Sequence, residues 1–209
     1  MDPLEPGVAA VEMPRVRSLA CSATRIRRHR RVTGLSGILL FACLFLPAID
    51  ACGAVQPYEL PPLAPPYLYG LVFALIAVAR TPRGLAHGIA ALRALAVLVV
   101  VSGVLVAAIV PQVGLPEIAV GIILLLIVGL AGTTEPRVAA SAIAVAVLSM
   151  LWFGVWCLDD SALLGVYLSL ASATGLALGG FLWWRELAAR PSIDVPAAVA
   201  RRGMISSVG

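Results

Sequence analysis

The chain has 209 residues, 61% of them hydrophobic and 12% charged, with a mean hydropathy of +1.00 and a formal net charge of +4. Soluble domains are about half apolar and about a quarter charged, so this composition excludes an ordinary water-exposed fold and makes lipid the expected solvent. All fifteen basic residues are Arg; they flank apolar stretches, which assigns the positive charge to membrane topology and not to nucleic acid.

The pattern predicts an all-α, polytopic transmembrane helical bundle of about six spans. A basic cytoplasmic tail covers residues 1–32, the membrane domain 33–184, and a cytoplasmic C-terminal tail 185–209. The first tail ends in Arg25, Arg27, Arg28, Arg30 and Arg31, immediately before the first apolar stretch. These are expected to meet anionic lipid headgroups, where each cation contributes about 1 kcal/mol. No aromatic residue interleaves with them, unlike a surface that stacks bases.

The spans are predicted at about Thr33–Asp50, Pro66–Arg80, Ala86–Val110, Leu115–Ala131, Val138–Trp156 and Ala162–Trp184. A helical crossing needs about 20 residues, so the second span is short; Tyr67 and Tyr69 at its start suit an interfacial belt. With the N-terminus inside, Arg80, Arg83, Arg137, Arg185, Arg190, Arg201 and Arg202 all fall on the cytoplasmic side. The outer side carries only Asp50, Glu59, Glu117, Asp159 and Asp160. That asymmetry is the positive-inside bias and puts both termini in the cytoplasm. Arg93, inside the third stretch, is expected to snorkel toward the headgroups. Trp183 and Trp184, directly before Arg185, are expected at the inner headgroup boundary, and Trp156 at the outer one. Arg without Lys, beside abundant Ala and Gly, is the usage of a GC-rich genome, so a bacterial inner membrane is the expected location.

Helices in lipid associate by close packing, which small residues at four-residue spacing permit. The sixth span carries two such rows: Ala171, Gly175 and Gly179, and Gly165, Ser169 and Ala173. Ala140 with Ala144 and Ala142 with Ala146 repeat the spacing in the fifth span, and Gly103 with Ala107 in the third. The sixth is therefore expected to be a central helix packed on two faces, and one of these faces is a candidate contact with a protein partner or a second copy of the chain.

Reactive groups gather at the outer ends of spans one and five. Asp50 with Asp159 and Asp160 form an acidic cluster there, and Cys52 and Cys157 map to the same face. A disulfide between the two thiols is one expectation, if spans one and five are neighbours in an oxidising exterior; separate solvated residues are the other. Cys43 lies mid-span as a small hydrophobe. Ile49, Asp50, Ala51 and Cys52 follow an apolar run behind a basic stretch, and this resembles the lipobox of bacterial lipoproteins. The resemblance implies cleavage before Cys52, lipidation of its thiol and a mature chain of five spans. Pro57, Pro61, Pro62 and Pro65 stiffen the first outer loop.

No catalytic motif is present: no HExxH, phosphate loop or GxSxG. The middle of every span lacks ionisable residues, with Glu117 counted among the outer charges. Both His29 and His87 map to the cytoplasmic side, so an axial pair for haem is not available; no cofactor or metal is expected. Ser102, Ser149, Ser169, Ser172 and Thr174 are the polar groups at depth. The first functional expectation is a non-enzymatic structural or accessory subunit of a membrane assembly, with the lipid bilayer and a protein as partners. The second is a small permease or channel for a neutral or weakly polar solute, favoured if a cavity reaches Ser149 or Ser172. The third is a thiol-dependent membrane enzyme using Cys52 and Cys157.

Overall fold

A computed structural model describes residues 7–50, 53–59, 64–79, 81–129 and 134–189, with side chains from Thr24 onward and Pro82's excepted. The six helices are α1 (Gly7–Ala42), α2 (Pro65–Val78), α3 (Pro82–Ala107), α4 (Pro111–Gly129), α5 (Glu135–Trp156) and α6 (Leu164–Ala188). Proline sets the starts: α2, α3 and α4 begin on it, and Pro136 is second in α5. A first-turn proline has no N–H to waste and its φ is already helical. Thr81 adds a cap, its Oγ1 accepting the Gly84 N–H at 3.1 Å.

Four of these helices, α3 to α6, are long and apolar enough to cross a membrane. The other two fall short for different reasons. The 14 residues of α2 rise only about 21 Å at 1.5 Å each, against a hydrocarbon core of about 30 Å. In α1 the Arg-rich part and the apolar part form one unbroken helix, so it runs straight across the boundary drawn at residue 32. Its apolar end then continues through a 3₁₀ turn at Cys43–Phe45.

Each helix packs on its neighbours in sequence, and α6 closes the ring on α1; α2 and α5 also touch across the middle. The neighbours run antiparallel: Gly34 meets Ala77 while Gly37 meets Gly70, and Gly179 meets Thr33 while Gly175 meets Ser36. The core holds Leu40, Phe73, Ile76, Leu92, Leu124, Val145 and Leu176, whereas Leu98, Leu105, Leu126, Leu151 and Leu178 face outward. Apolar side chains on the outside are what hydrocarbon solvent permits. The α3 and α4 helices pack mainly on each other and more lightly on α2 and α5. Their seam is built from Gly103, Gly114 and Gly121; a Cβ on Gly114 would lie 2.2 Å from the Ala107 nitrogen, so only glycine allows this approach.

At the end opposite the Arg residues, a short hairpin pairs β1 (Ile49–Asp50) with β2 (Ala54–Val55), turning at Gly53 with φ of 140°. This segment docks on the α5–α6 loop: Asp50 N–H donates to Ser161 O at 2.9 Å, and Leu163 N–H to Ala48 O at 2.9 Å.

Two expectations change. The fourth helix starts at Pro111 rather than Leu115, because Pro111 opens a helix that Pro116 interrupts without ending. Glu117 therefore lies more than a turn inside a helix and not at its outer edge. Tyr67 and Tyr69 turn into the bundle and are buried instead of forming a belt, because α2 packs on α1, α3 and α5.

Candidate functional site

Three helices bring one polar layer together below the hairpin end. Glu117 is six residues into α4, Ser149 seven residues before the end of α5, and Tyr69 four residues into α2. At 1.5 Å per residue these positions lie about 6–10 Å in from the same end of the bundle. All three line a cavity of about 280 Å³, where the lightly joined α3–α4 pair meets α2 and α5. The remaining wall is apolar, chiefly Val99, Val120, Val145, Leu148, Leu151 and Trp152.

Two of the polar groups in this wall, Glu117 and Tyr69, are not satisfied. Glu117 is 8% exposed and Tyr69 1%, and neither carboxylate oxygen of Glu117 nor the Tyr69 hydroxyl has a hydrogen-bond partner. A buried polar atom without a partner costs about 1–3 kcal/mol, and an ionised carboxyl in such surroundings costs more unless it is paired. Packing does not require this arrangement, since an apolar residue would fill the α4 position at no such cost. Among the described residues no Arg or His lines the cavity. The arrangement can accept hydrogen bonds, hold or release one proton at Glu117, and enclose an apolar body beside the Trp152 and Tyr69 rings. Among the described residues no group of three or more His, Cys, Asp or Glu is arranged to hold a metal.

The residues singled out from the sequence are distributed elsewhere. Asp50, Asp159 and Asp160 are exposed at the hairpin end. The Ser161 hydroxyl and N–H both donate to Asp159 (2.6 and 2.8 Å) and hold its carboxyl below the usual range. Cys157 is a half-buried free thiol whose pKa burial pushes up; Cys52 lies outside the described residues. The neighbours of α1 are α2 and α6, and it is the segment after α1 that reaches the α5–α6 loop.

The small residues of α6 are used inside the chain. Gly175 and Gly179 pack on Ser36 and Thr33 of α1, Gly165 on the Pro47 carbonyl, and Gly180 on Ala142 and Ile143 of α5. Ser169 is buried, 2.7 Å from the Gly165 carbonyl and 3.3 Å from the Tyr67 hydroxyl, while Ala171 faces outward.

At the Arg-bearing end, Arg25, Arg27, Arg28, Arg31, Trp184 and Arg185 are exposed, and Arg25 reaches Glu186 at 4.0 Å. Arg30 and Trp183 differ from expectation. The Arg30 guanidinium donates to the Ile76 and Ala79 carbonyls and lies 3.9 Å from Glu135, and Trp183 is buried beneath it with Nε1 3.3 Å from Glu135. Open carbonyls at the end of α2 attract the cation inward, away from headgroups. Arg93 likewise donates to the Val128 carbonyl at 2.9 Å near the end of α4.

Glu117, Tyr69 and Trp152 were missed as site residues. The available signal was Pro111, which as a helix-opening residue carries the helix past Glu117. The hydroxyls of α6 take no part in the cavity, and Thr174 bonds back to the Leu170 carbonyl. No protein-family model, curated protein or solved structure matches this chain, so the geometry alone carries its functional reading.

Proposed function

We propose that this chain is a small permease, threaded six times through a bacterial inner membrane with both termini cytoplasmic, that takes up a small, mainly apolar solute in the cavity beside Glu117. The observation that carries this reading is the cavity reaching Ser149, walled by apolar side chains and holding an unpartnered Glu117 carboxyl and Tyr69 hydroxyl. Ionisable residues at membrane depth are costly and mark pathways and binding sites. Pockets for small molecules are mostly apolar with a few convergent polar groups. The accessory-subunit reading loses ground because the small-residue rows of α6, which would have held a partner, pack on α1 and α5 instead.

The threading is supported by the antiparallel packing of the ring, in which α1's apolar end lies against α2 and α6. Reporter fusions after Glu59, Val110 and Asp160 are expected to be exported, and one after Arg137 to stay in the cytosol. A cytosolic result at any of the first three removes the six-span threading.

Solute capture is tested by thermal unfolding of the purified protein in nanodiscs against a panel of small aromatic and branched aliphatic alcohols and amines. A solute at 100 times its Kd stabilises the folded state by about 2.7 kcal/mol. At least one class is expected to raise Tm, and Val120→Trp, which fills the cavity, to remove the shift. If no class moves Tm, and proteoliposomes bearing the protein are no more permeable to these solutes than empty ones, the permease reading falls.

A further inference from the structure

Among the described residues the apolar cavity holds one acid and no base, and this asymmetry constrains its occupant. An anion would meet an unpaired carboxyl. A neutral apolar solute would fill the space but leave both Glu117 oxygens without a partner. A compact hydrophilic cation would lose its hydration shell to walls of Val99, Val120, Val145 and Leu148 that return nothing. One chemical class satisfies both the walls and the acid.

Resting on the permease reading, we infer that the substrate class is a lipophilic monovalent cation, an apolar body bearing one ammonium-type charge, held by the Glu117 carboxylate in exchange for its proton. Among the described residues no cation lines the cavity, so the charge partner of the carboxylate is the incoming cation. From α2 the titratable group lining the cavity is Tyr69; α3 contributes Val99, and α5 contributes Ser149 and Trp152, none of which carries charge. Arg93 of α3 is engaged far down the helix, at the Val128 carbonyl. When the cation arrives, the O–H bond of the carboxylic acid breaks, its electron pair stays on the oxygen, and the proton leaves to water; no other bond changes. One positive charge enters and one leaves, so the cavity remains neutral throughout. The Trp152 and Tyr69 rings add faces that attract a cation.

A matched pair of probes separates charge from shape: benzyltrimethylammonium, a permanent cation, and neopentylbenzene, which replaces its nitrogen by carbon. Binding to the purified chain in nanodiscs of zwitterionic lipid is measured across pH. Because the cationic probe does not titrate, any pH dependence belongs to the protein. Its affinity is expected to rise toward tenfold per pH unit while Glu117 is protonated and to level off above its titration. Glu117→Gln is expected to weaken the cation about 100-fold, as loss of a desolvated charge partner does, and to leave the neutral probe within about threefold. Glu117→Asp is expected to keep the preference for the cation.

The inference is overturned if the neutral probe binds the wild-type chain as tightly as the cation, or if the cation's affinity is flat with pH; either result leaves the permease reading standing. Failure of both probes to bind at every pH counts against the permease reading itself. The wild-type pH profile decides even where a variant fails to fold.

Discussion

Glu117→Leu is expected to raise the stability of the protein by about 2 kcal/mol while ending the capture of any cationic solute. Two carboxyl oxygens buried without partners each carry a desolvation penalty of about 1–3 kcal/mol, and in this chain nothing on α2, α3 or α5 offsets it. Leu is close in size, keeps the contact that the Glu117 Cβ makes with Gly103, and removes the penalty. Tyr69 is unpartnered in both proteins, so its cost cancels in the difference. The measurement is unfolding in mild detergent, by heat or by graded addition of a denaturing detergent, at a pH below and above neutrality. A residue that destabilises its own fold at a site where an apolar one fits is retained for use, the usual relation between stability and activity. A less stable Glu117→Leu protein would mean that the carboxyl is bonded in the folded state, and the argument for a poised acid would go with it.

How far the fold was legible follows from where lipid imposes a rule. Apolar stretches must be long and helical because no water satisfies backbone groups in hydrocarbon, so α3, α5 and α6 are readable within a few residues. The proximity of the first and fifth span ends also emerges in part, through Asp50 and Ser161. The site was less legible, because it depends on which side of a boundary one residue falls. Counting apolar residues starts α4 at Leu115 and leaves Glu117 at its frayed edge; reading Pro111 as a first helical residue puts the same carboxyl more than a turn inside. Tyr69 and Trp183 failed for a related reason. An amphipathic ring near a helix end suits either an interface or an internal partner, and only the helix order decides. That order put Trp183 against Glu135 and Tyr69 against the cavity. The ring order itself has no local signal, since α6 carries small residues on faces toward both α1 and α5.

The second large effect is expected at the opposite end. Arg30→Met should destabilise the protein by about 3 kcal/mol, although Arg30 sits in a run that reads as a headgroup anchor. Its guanidinium donates to the Ile76 and Ala79 carbonyls, closing the end of α2, and it stands 5.9 Å from the centre of the Trp183 ring while facing Glu135. One side chain of α1 thus ties α2, α5 and α6 together. Charge-assisted hydrogen bonds contribute about 1.5–3 kcal/mol each, and the final carbonyls of a helix have no partner within it. Met keeps most of the apolar stem, so the loss isolates the charged fork. Arg30→Lys should recover less than half, because an ammonium cannot bridge two carbonyls and lie flat on an indole as a planar fork does. With Trp152, Trp156 and Trp184 replaced by Phe, Trp183 reports the event: opening of this junction admits water, and its emission should shift to longer wavelength in Arg30→Met before global unfolding. Neighbouring Arg31→Met is the control, because Arg31 is exposed and its loss should stay within about 0.5 kcal/mol. Equal small effects at both positions would return Arg30 to the headgroups and leave the end of α2 unexplained. A large effect confined to Arg30 would mean that the Arg-bearing end of the bundle is held chiefly by this cation, while the opposite end carries the cavity with its unpartnered acid.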